Sequence, residues 1–285
     1  MGKISTSING KTTISGVIGY PLKYTLSPSF HNSALKEYLI DSVYLPFIIE
    51  EKNIKAGIMG FKAYDNIVGL NVTNPHKKAV IPFMDDIDDD AKNIGSVNTI
   101  KFIDGKMIGY STDGDGFLMS LAENGIAVKD KAIIILGSGG AARAIVAACI
   151  KGQANKIIVV SRTKQGEGTR YFDNINTDIS FVSYDELSNK AIKDADMIVN
   201  CTPIGMQGKI DVLPIDISLL KEGGCFYDLN YNSRLELPGN LKEKQIKTID
   251  GKLMLLCQAA LSFNIFYDFR IKHQFIMDFL HKTGH

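Results

Sequence analysis

Two adjoining stretches, Ala132-Ile-Ile-Ile-Leu136 and Gly137-Ser138-Gly139-Gly140-Ala141-Ala-Arg-Ala144, decide the fold of this chain. An uninterrupted apolar run predicts a strand buried on both faces, as in a parallel sheet covered by helices. Residues 141–150 are helix formers with apolar side chains three and four positions apart. Glycines between strand and helix permit a positive φ and let a pyrophosphate approach the backbone at the helix N-terminus. The pattern predicts a Rossmann-type domain, although a glycine turn can also be purely structural.

The residues after the next strand indicate which dinucleotide would bind. The predicted strand 156–160 runs into Ser161-Arg162-Thr163. NAD-selective sites place a carboxylate at this position, where it accepts hydrogen bonds from the ribose 2′-hydroxyl. Arginine and hydroxyl groups instead suit a 2′-phosphate, because guanidinium is a planar and permanently charged donor. The sequence therefore predicts NADP as the cofactor. The alternative is that Arg162 stacks on adenine, which would favour NAD and NADP equally.

Length and composition limit the class of protein. The chain has 285 residues, 45% hydrophobic and 22% charged, which suits two globular domains. The formal net charge of +1 gives no electrostatic reason to expect nucleic acid or an anionic membrane as a partner. The four cysteines lie singly in apolar stretches, which predicts reduced thiols and a cytoplasmic location. The acidic run 85–90 is expected to begin a helix rather than to bind a metal.

The first part of the chain alternates strands and helices. We expect strands at 14–19, 43–49 and 67–72 with helices at 29–39 and 51–64, hence an α/β domain with a largely parallel sheet. Two further strands would form a hairpin around the Asp104-Gly105 turn.

Hydroxyl groups precede the first predicted helix. Ser27 before Pro28 is typical of an N-cap followed by proline at the first helical position. Thr25 and Ser27 could either begin this helix or bind a substrate carboxylate together with the helix N-terminus.

Polar residues also follow the strand 67–72, in Asn71-Val-Thr73-Asn-Pro-His-Lys77. Ligands of open α/β sheets collect at the carboxyl ends of strands, where these side chains would lie. Lysine is unfavourable at a helix N-terminus, which raises the chance that Lys77 is functional rather than part of a solvated helix start. Asp113, before a helix expected at 118–124, could be functional or simply cap that helix.

The remaining pattern predicts strands at 179–182, 197–201 and 225–228, a variable helical region at 163–171, and a long apolar helix from Gly251 to about Phe279. The expected division is a substrate domain at 1–111, an NADP-binding domain at 112–250 and a C-terminal helical segment at 251–285 that packs back on the first domain.

Together, these segments resemble the shikimate dehydrogenase family, from about Val17 to Phe266. A single motif would be weak support, but eight in family order are specific. The motifs are Gly19-Tyr-Pro21 with Thr25-Leu-Ser27-Pro28-Ser-Phe-His31-Asn32, Asn71-Val-Thr73-Asn-Pro75-His-Lys77, Gly95-Ser-Val-Asn98-Thr99, Ser111-Thr112-Asp113, Gly137-Ser-Gly-Gly-Ala141, Ser161-Arg162-Thr163, Asp228-Leu-Asn-Tyr231, and Gly251-Lys-Leu-Met254-Leu-Leu-Cys-Gln258.

The resemblance implies reversible, NADPH-dependent reduction of 3-dehydroshikimate to shikimate. Lys77 would exchange the proton, and Asp113 would orient it. The implied substrate-binding residues are Thr25, Ser27, Asn71, Thr73, Asn98, Tyr231 and Gln258. The implied cofactor-binding residues are Gly137, Ser138, Gly139, Gly140, Ala141, Ser161, Arg162, Thr163, Leu229, Gly251 and Met254. No metal is expected, and the protein would be a monomer or a homodimer.

Some positions depart from the family pattern. Thr25 replaces a serine, and Ser111 and Ser161 replace asparagines. Thr25 keeps open a quinate/shikimate dehydrogenase that uses NAD. A catalytically silent sensor of shikimate or quinate is a further alternative, against which the intact Lys77 and Asp113 argue.

Overall fold

The structure is a computed structural model that describes residues 8–22, 25–162, 178–206 and 208–283. The chain divides into two compact units. The first comprises Met1–Thr112 with Leu256–His285, and the second comprises Asp113–Leu255. The sequence instead led us to expect three parts, with boundaries after residues 111 and 250. That three-part division stays a prediction.

The strands in chain order are β1 (Thr13–Gly19), β2 (Ser42–Ile48), β3 (Ile67–Val72), β4 (Asp86–Ile87), β5 (Thr99–Ile103), β6 (Lys106–Tyr110), β7 (Ala132–Leu136), β8 (Lys156–Val160), β9 (Ile179–Val182), β10 (Met197–Asn200), β11 (Cys225–Asp228) and β12 (Lys247–Asp250). The helices of the described residues are α1 (Ser27–Glu37), α2 (Ile54–Lys62), α3 (Asp89–Ile94), α4 (Asp113–Glu123), α5 (Gly140–Lys151), α6 (Asn189–Asp194), α7 (Lys252–Tyr267) and α8 (His273–Lys282).

The first unit is built on a six-stranded sheet in the order β2-β1-β3-β5-β6-β4. Strand β1 pairs in parallel with β2 and β3, whereas β5 pairs antiparallel with both β3 and β6. The hairpin predicted at Asp104-Gly105 is confirmed by the pairing of β5 with β6. Residues of α7 and α8 belong to this unit, as the predicted return of the C-terminal segment requires.

The second unit contains a fully parallel six-stranded sheet in the order β12-β11-β10-β7-β8-β9. The run 132–136 forms β7 in its centre, and residues 133–136 are at most 1% exposed. A strand covered on both faces needs apolar side chains in succession, which is the pattern that predicted it. The α/β fold class, with a Rossmann-type second unit, is confirmed.

Three boundaries differ from the expectation. Ser27 is not an N-cap, because it lies inside the first turn of α1, and Leu26 precedes that helix without a side-chain cap. Helix α4 begins at Asp113 rather than at 118. Gly114 lies in this helix, and a Cβ on it would be 3.0 Å from the Ala144 carbonyl oxygen of α5, so the two helices approach closely there. The helix expected to reach Phe279 ends at Tyr267, and α8 begins only at His273.

Other differences are smaller. Residues 74–80 form consecutive turns rather than a regular helix. Strand β12 and helix α6 were not expected. The acidic run does begin a helix as predicted, since the Asp88 side chain caps α3 by accepting a hydrogen bond from the Asp90 N–H. The predicted helical region 163–171 lies outside the described residues. Within the described part of the chain, no helix is long and apolar enough to cross a membrane.

Candidate active site

A continuous network of polar side chains is buried in the first unit. Its members come from β2, β3, the start of β5, the residues after β6, and α7. These side chains are Tyr44, Asn71, Asn98, Thr99, Thr112, Gln258 and Ser262. Buried polar groups are stable only when their hydrogen bonds are made. The network therefore specifies one arrangement of the carboxamides within it.

Asn71 occupies the carboxyl end of β3 and is 7% exposed. Its Oδ1 accepts a hydrogen bond from the Tyr44 hydroxyl at 2.7 Å, and its Nδ2 donates to Ser262 Oγ at 2.8 Å. The Asn98 carbonyl oxygen, 3.4 Å from Nδ2, can only accept, which assigns this end of the carboxamide as the nitrogen. The sequence predicted Asn71 as a site residue but did not predict either partner.

Asn98 and Gln258 lie at the other end of the network. Asn98 Oδ1 accepts from the Thr112 N–H and from the Thr99 hydroxyl, both at 2.9 Å. Asn98 Nδ2 donates to Thr112 Oγ1 at 2.9 Å and lies 3.4 Å from Gln258 Oε1. The structure thus brings Asn71, Asn98 and Gln258 together, although more than 180 residues separate the first from the last.

The hydroxyl pair at the start of α1 is partly linked to this network. Burial raises the pKa of Tyr44 well above its ordinary value, and an interaction with the Ser27 hydroxyl partly opposes that rise. Thr25 Oγ1 accepts a hydrogen bond from the Ser27 N–H at 3.3 Å, which arranges the turn before the helix. Ser27 therefore adjoins the aromatic side chain that orients Asn71.

Lys77 lies in the turns that follow β3. The Thr73 N–H donates to the Ile18 carbonyl oxygen at 2.9 Å, and the Val97 N–H donates to the Lys77 carbonyl oxygen at 2.9 Å. The fully buried His76 holds these turns through a 2.6 Å contact between its Nε2 and the Ile49 carbonyl oxygen. Because a carbonyl only accepts, His76 Nε2 carries the hydrogen. Lys77 itself is half-buried beside this anchor.

Asp113 is the first residue of α4 and is 5% exposed. It belongs to the second unit, whereas Lys77 belongs to the first. The pairing of these two side chains stays a prediction.

The glycine turn of the second unit has the backbone conformation that the sequence required. Gly137 has φ +106°, and its N–H donates to the Val160 carbonyl oxygen at 2.7 Å. Gly139 is the N-cap residue of α5, and a Cβ added to it would meet no atom within 4 Å. No acidic side chain occupies the first turn of α5. Helix α5 therefore has an open N-terminus, formed by its first residues Gly140 and Ala141. Such an N-terminus fits a bound pyrophosphate.

The end of β8 carries Ser161, which is buried, and Arg162, which is exposed. Burial raises the pKa of Tyr184, and the positive charge of Arg162 opposes that rise, so the two side chains interact. An exposed guanidinium here is compatible with a 2′-phosphate. Thr163, predicted with them, lies outside the described residues.

Asp228, the last residue of β11, forms a hydrogen bond to the carboxyl end of the neighbouring strand β10. Its Oδ1 accepts from Asn200 Nδ2 at 3.0 Å and from the Asn230 N–H at 3.1 Å. Burial raises the pKa of Asp228, although these amides and the Ser233 hydroxyl act in the opposite direction. The hydrogen bonds hold the segment that contains Leu229 and Tyr231. Burial also raises the pKa of Tyr231.

Gly251 lies against this segment without room for a side chain. A Cβ on Gly251 would lie 1.9 Å from the Leu229 carbonyl oxygen, so only glycine allows this approach. Met254, one turn into α7, is 7% exposed and packs in the core of the second unit. The structure therefore brings Leu229 and Gly251 together, and the cofactor contact of Met254 stays a prediction.

Sequence reasoning missed Tyr44, Thr99, Thr112 and Ser262 as members of the network. Tyr44 lies in an apolar strand, and its pattern indicates core packing alone. Ser262 lies in an apolar helix, but it follows Gln258 by four residues and so shares its helix face. That spacing is the signal that could have identified it. Among the described residues, no group of three or more potential ligands could hold a metal ion.

Comparisons with known proteins show which family the chain resembles. Residues 17–100 match the family model of the shikimate dehydrogenase substrate binding domain. The chain is 42% identical over 262 residues to the shikimate dehydrogenase (NADP(+)) of Carboxydothermus hydrogenoformans, which covers 90% of this chain and 92% of that protein.

Solved structures are similar over nearly the whole chain. The shikimate dehydrogenase of Aquifex aeolicus is 36% identical, with a TM-score of 0.86 and coverage of 96% of this chain and 99% of that one. The shikimate 5-dehydrogenase of Listeria monocytogenes, in complex with shikimate and NAD, is 27% identical, with a TM-score of 0.87 and coverage of 98% and 100%. On the strength of this similarity along its full length, the chain belongs to the shikimate dehydrogenase family.

Proposed function

We propose that this protein catalyses the reversible NADPH-dependent reduction of 3-dehydroshikimate to shikimate. The observation that carries the proposal is the buried network of the first unit, which joins Asn71, Asn98 and Gln258. Carboxamides held in fixed orientation are suited to bind the several hydroxyl groups of a polar ring. The names of the relatives support the same reaction.

Each remaining substrate-binding residue has a role in this proposal. Thr25 and Ser27 bind the substrate carboxylate near the N-terminus of α1, where helix N–H groups favour an anion. Thr73 and Tyr231 complete the contacts to the ring. Mutation of any one of these residues should weaken substrate binding more than turnover.

Lys77 and Asp113 act as the proton-exchanging pair. Bound NADPH supplies the hydride. Reduction of the ring carbonyl builds negative charge on its oxygen, which requires a proton donor in place. The Lys77 ammonium is a compact donor, and Asp113 orients it. The turns anchored by His76 hold Lys77 in position.

The cofactor is proposed to bind with its pyrophosphate at the turn from Gly137 to Ala141 and its 2′-phosphate at Ser161, Arg162 and Thr163. An NAD-dependent enzyme is the second candidate, favoured by the structure of the Listeria relative with NAD. Monomeric or homodimeric state and a cytoplasmic location stay predictions.

The test is steady-state kinetics with shikimate and quinate, each with NADP⁺ and NAD⁺. We expect kcat/KM to be highest for shikimate with NADP⁺. Failure to oxidise shikimate with either cofactor would refute the proposal, and equal use of NAD⁺ would refute its cofactor choice.

Lys77→Ala should then lower kcat by roughly 10²-fold or more, the range for a lost general acid–base group, with little change in KM. Lys78→Ala is the matched control, because Lys78 is the next residue, carries the same charge and is exposed. Near wild-type turnover in Lys77→Ala, or equal losses in both variants, would contradict the role of Lys77.

A further inference from the structure

Ser262 has an unusual number of polar contacts for a residue in an apolar helix. It is 0% exposed and lies on α7, where its sequence neighbours, including Phe263, are apolar. Its Oγ lies 2.8 Å from Asn71 Nδ2, 2.7 Å from Thr99 Oγ1 and 3.2 Å from Thr112 Oγ1. A fourth contact, 3.0 Å long, reaches the carbonyl oxygen of Gln258.

The hydrogen bonds around Ser262 connect it to the two carboxamides. Tyr44 donates to Asn71 Oδ1, so the Asn71 amide nitrogen faces Ser262 and donates to it. The Thr99 hydroxyl donates its single hydrogen to Asn98 Oδ1 at 2.9 Å. Ser262 Oγ lies 2.7 Å from this hydroxyl and donates to the Gln258 carbonyl oxygen at 3.0 Å, which can only accept.

Ser262 is therefore the junction of two carboxamides. It accepts from Asn71 and lies 2.7 Å from the Thr99 hydroxyl, which in turn donates to Asn98 Oδ1. Without the Ser262 hydroxyl, the contacts left to Asn71 Nδ2 among the described residues are 3.4 Å long, to the Asn98 carbonyl oxygen and to Thr99 Oγ1. Hydrogen bonds of that length are weak. The Asn71 carboxamide would then be held mainly through its oxygen by Tyr44, and Thr99, a partner of Asn98, would lose its contact to α7.

We propose that Ser262 is a positioning residue that orients Asn71 and Asn98 for recognition of the substrate's ring hydroxyls. The inference rests on the proposed function for the identity of the substrate, and on geometry alone for the orientation of the carboxamides. Ser262 does not itself contact the substrate in this proposal; it acts through its two neighbours.

The first measurement is kinetic. Ser262→Ala should raise the KM for shikimate by about 5- to 20-fold, as for a hydrogen bond lost from a recognition site, and change kcat by less than about threefold. The KM for NADP⁺ should not change. Ser262→Thr, which retains the hydroxyl, should recover most of the affinity for shikimate. If the added methyl group prevents folding, Ser262→Cys is tested in place of Ser262→Thr.

Ser15→Ala is the matched control. Ser15 is also 0% exposed and also hydrogen-bonds to α7, accepting from the Tyr267 hydroxyl at 2.8 Å, but it lies outside the network. The Ser15→Ala variant should lose stability, as the Ser262→Ala variant does, while its KM for shikimate stays at the wild-type value. An equal rise of KM in both variants would overturn the proposal, because displacement of the helix would then explain the effect.

The second measurement does not depend on the substrate. The side-chain amide signals of Asn71 and Asn98 are identified in NMR spectra by their loss in Asn71→Asp and Asn98→Asp. We expect both amides to shift and to exchange hydrogen faster in Ser262→Ala but not in Ser15→Ala. Unchanged amide signals in Ser262→Ala would overturn the proposal. An inactive wild type with these amide changes present would refute the proposed function and leave the positioning role standing.

Discussion

His31 provides a sharp test of how burial couples pH to stability. Its side chain is 0% exposed and stacks on Tyr44, with ring centroids 4.1 Å apart and planes inclined by 8°. Phe30, Phe263 and Phe266 surround it. Among the described residues, neither ring nitrogen has a hydrogen-bond partner. Burial deprives a charged imidazole of water and lowers the pKa of His31 from 6.5 to about 3.

The consequence is a loss of stability in acid. Between the two pKa values the unfolded chain binds a proton that the folded chain does not. Stability must therefore fall as pH falls below the unfolded pKa, and this contribution levels off only near the folded value. The slope is about 1.4 kcal/mol per pH unit. From about pH 7.5 to about pH 5, His31 should lower the free energy of unfolding by about 2 kcal/mol.

The perturbation is His31→Phe, which keeps an aromatic ring but cannot take up a proton. Urea unfolding followed by circular dichroism gives the free energy of both proteins across this pH range. Other titrating groups cancel in the difference between them. We expect the wild type to lose about 2 kcal/mol relative to His31→Phe on acidification. His31→Leu should show the same pH dependence if the phenylalanine packs poorly.

The reasoning is refuted if the difference in stability between the wild type and these variants is independent of pH. It is equally refuted if acid stabilises the wild type relative to them, because His31 would then have to be protonated in the folded state.

Two further predictions concern ligand recognition. Ser27→Ala should raise the KM for shikimate by an amount equivalent to about 1–3 kcal/mol, as for a hydrogen bond to a charged group; an unchanged KM in both Ser27→Ala and Thr25→Val would place the carboxylate elsewhere. Arg162→Ala should lower kcat/KM for NADP⁺ much more than for NAD⁺ if the guanidinium binds the 2′-phosphate. Equal losses with the two cofactors would leave only adenine stacking as its role.

Most of the fold could be predicted because its signals are local. The apolar run 132–136 defines the central strand of the second unit, and the Gly137 turn requires a positive φ that the backbone indeed has. Residues within one strand or turn determine these features. The same applies to the hairpin at Asp104-Gly105, where adjacent residues form the turn.

Helix ends were less predictable because packing decides them. Gly114 and Gly116 suggest a loop, yet they lie in α4, where the close approach to α5 leaves little room for a side chain at Gly114. Helix α7 stops at Tyr267, whose hydroxyl bonds to Ser15 and Ser42 of the sheet. Contacts between distant segments set these limits, and no local pattern records them.

The sequence by itself determined the α/β class, the Rossmann-type unit, and the residue types available to the site. Only the tertiary structure decided which side chains orient the residues of the site. Tyr44, Thr99 and Ser262 look like ordinary core residues until the fold brings them to Asn71 and Asn98. The physical reason is that a buried carboxamide must satisfy its hydrogen bonds with whatever groups the folded chain places beside it. Those partners lie on strands and a helix that are far apart in sequence.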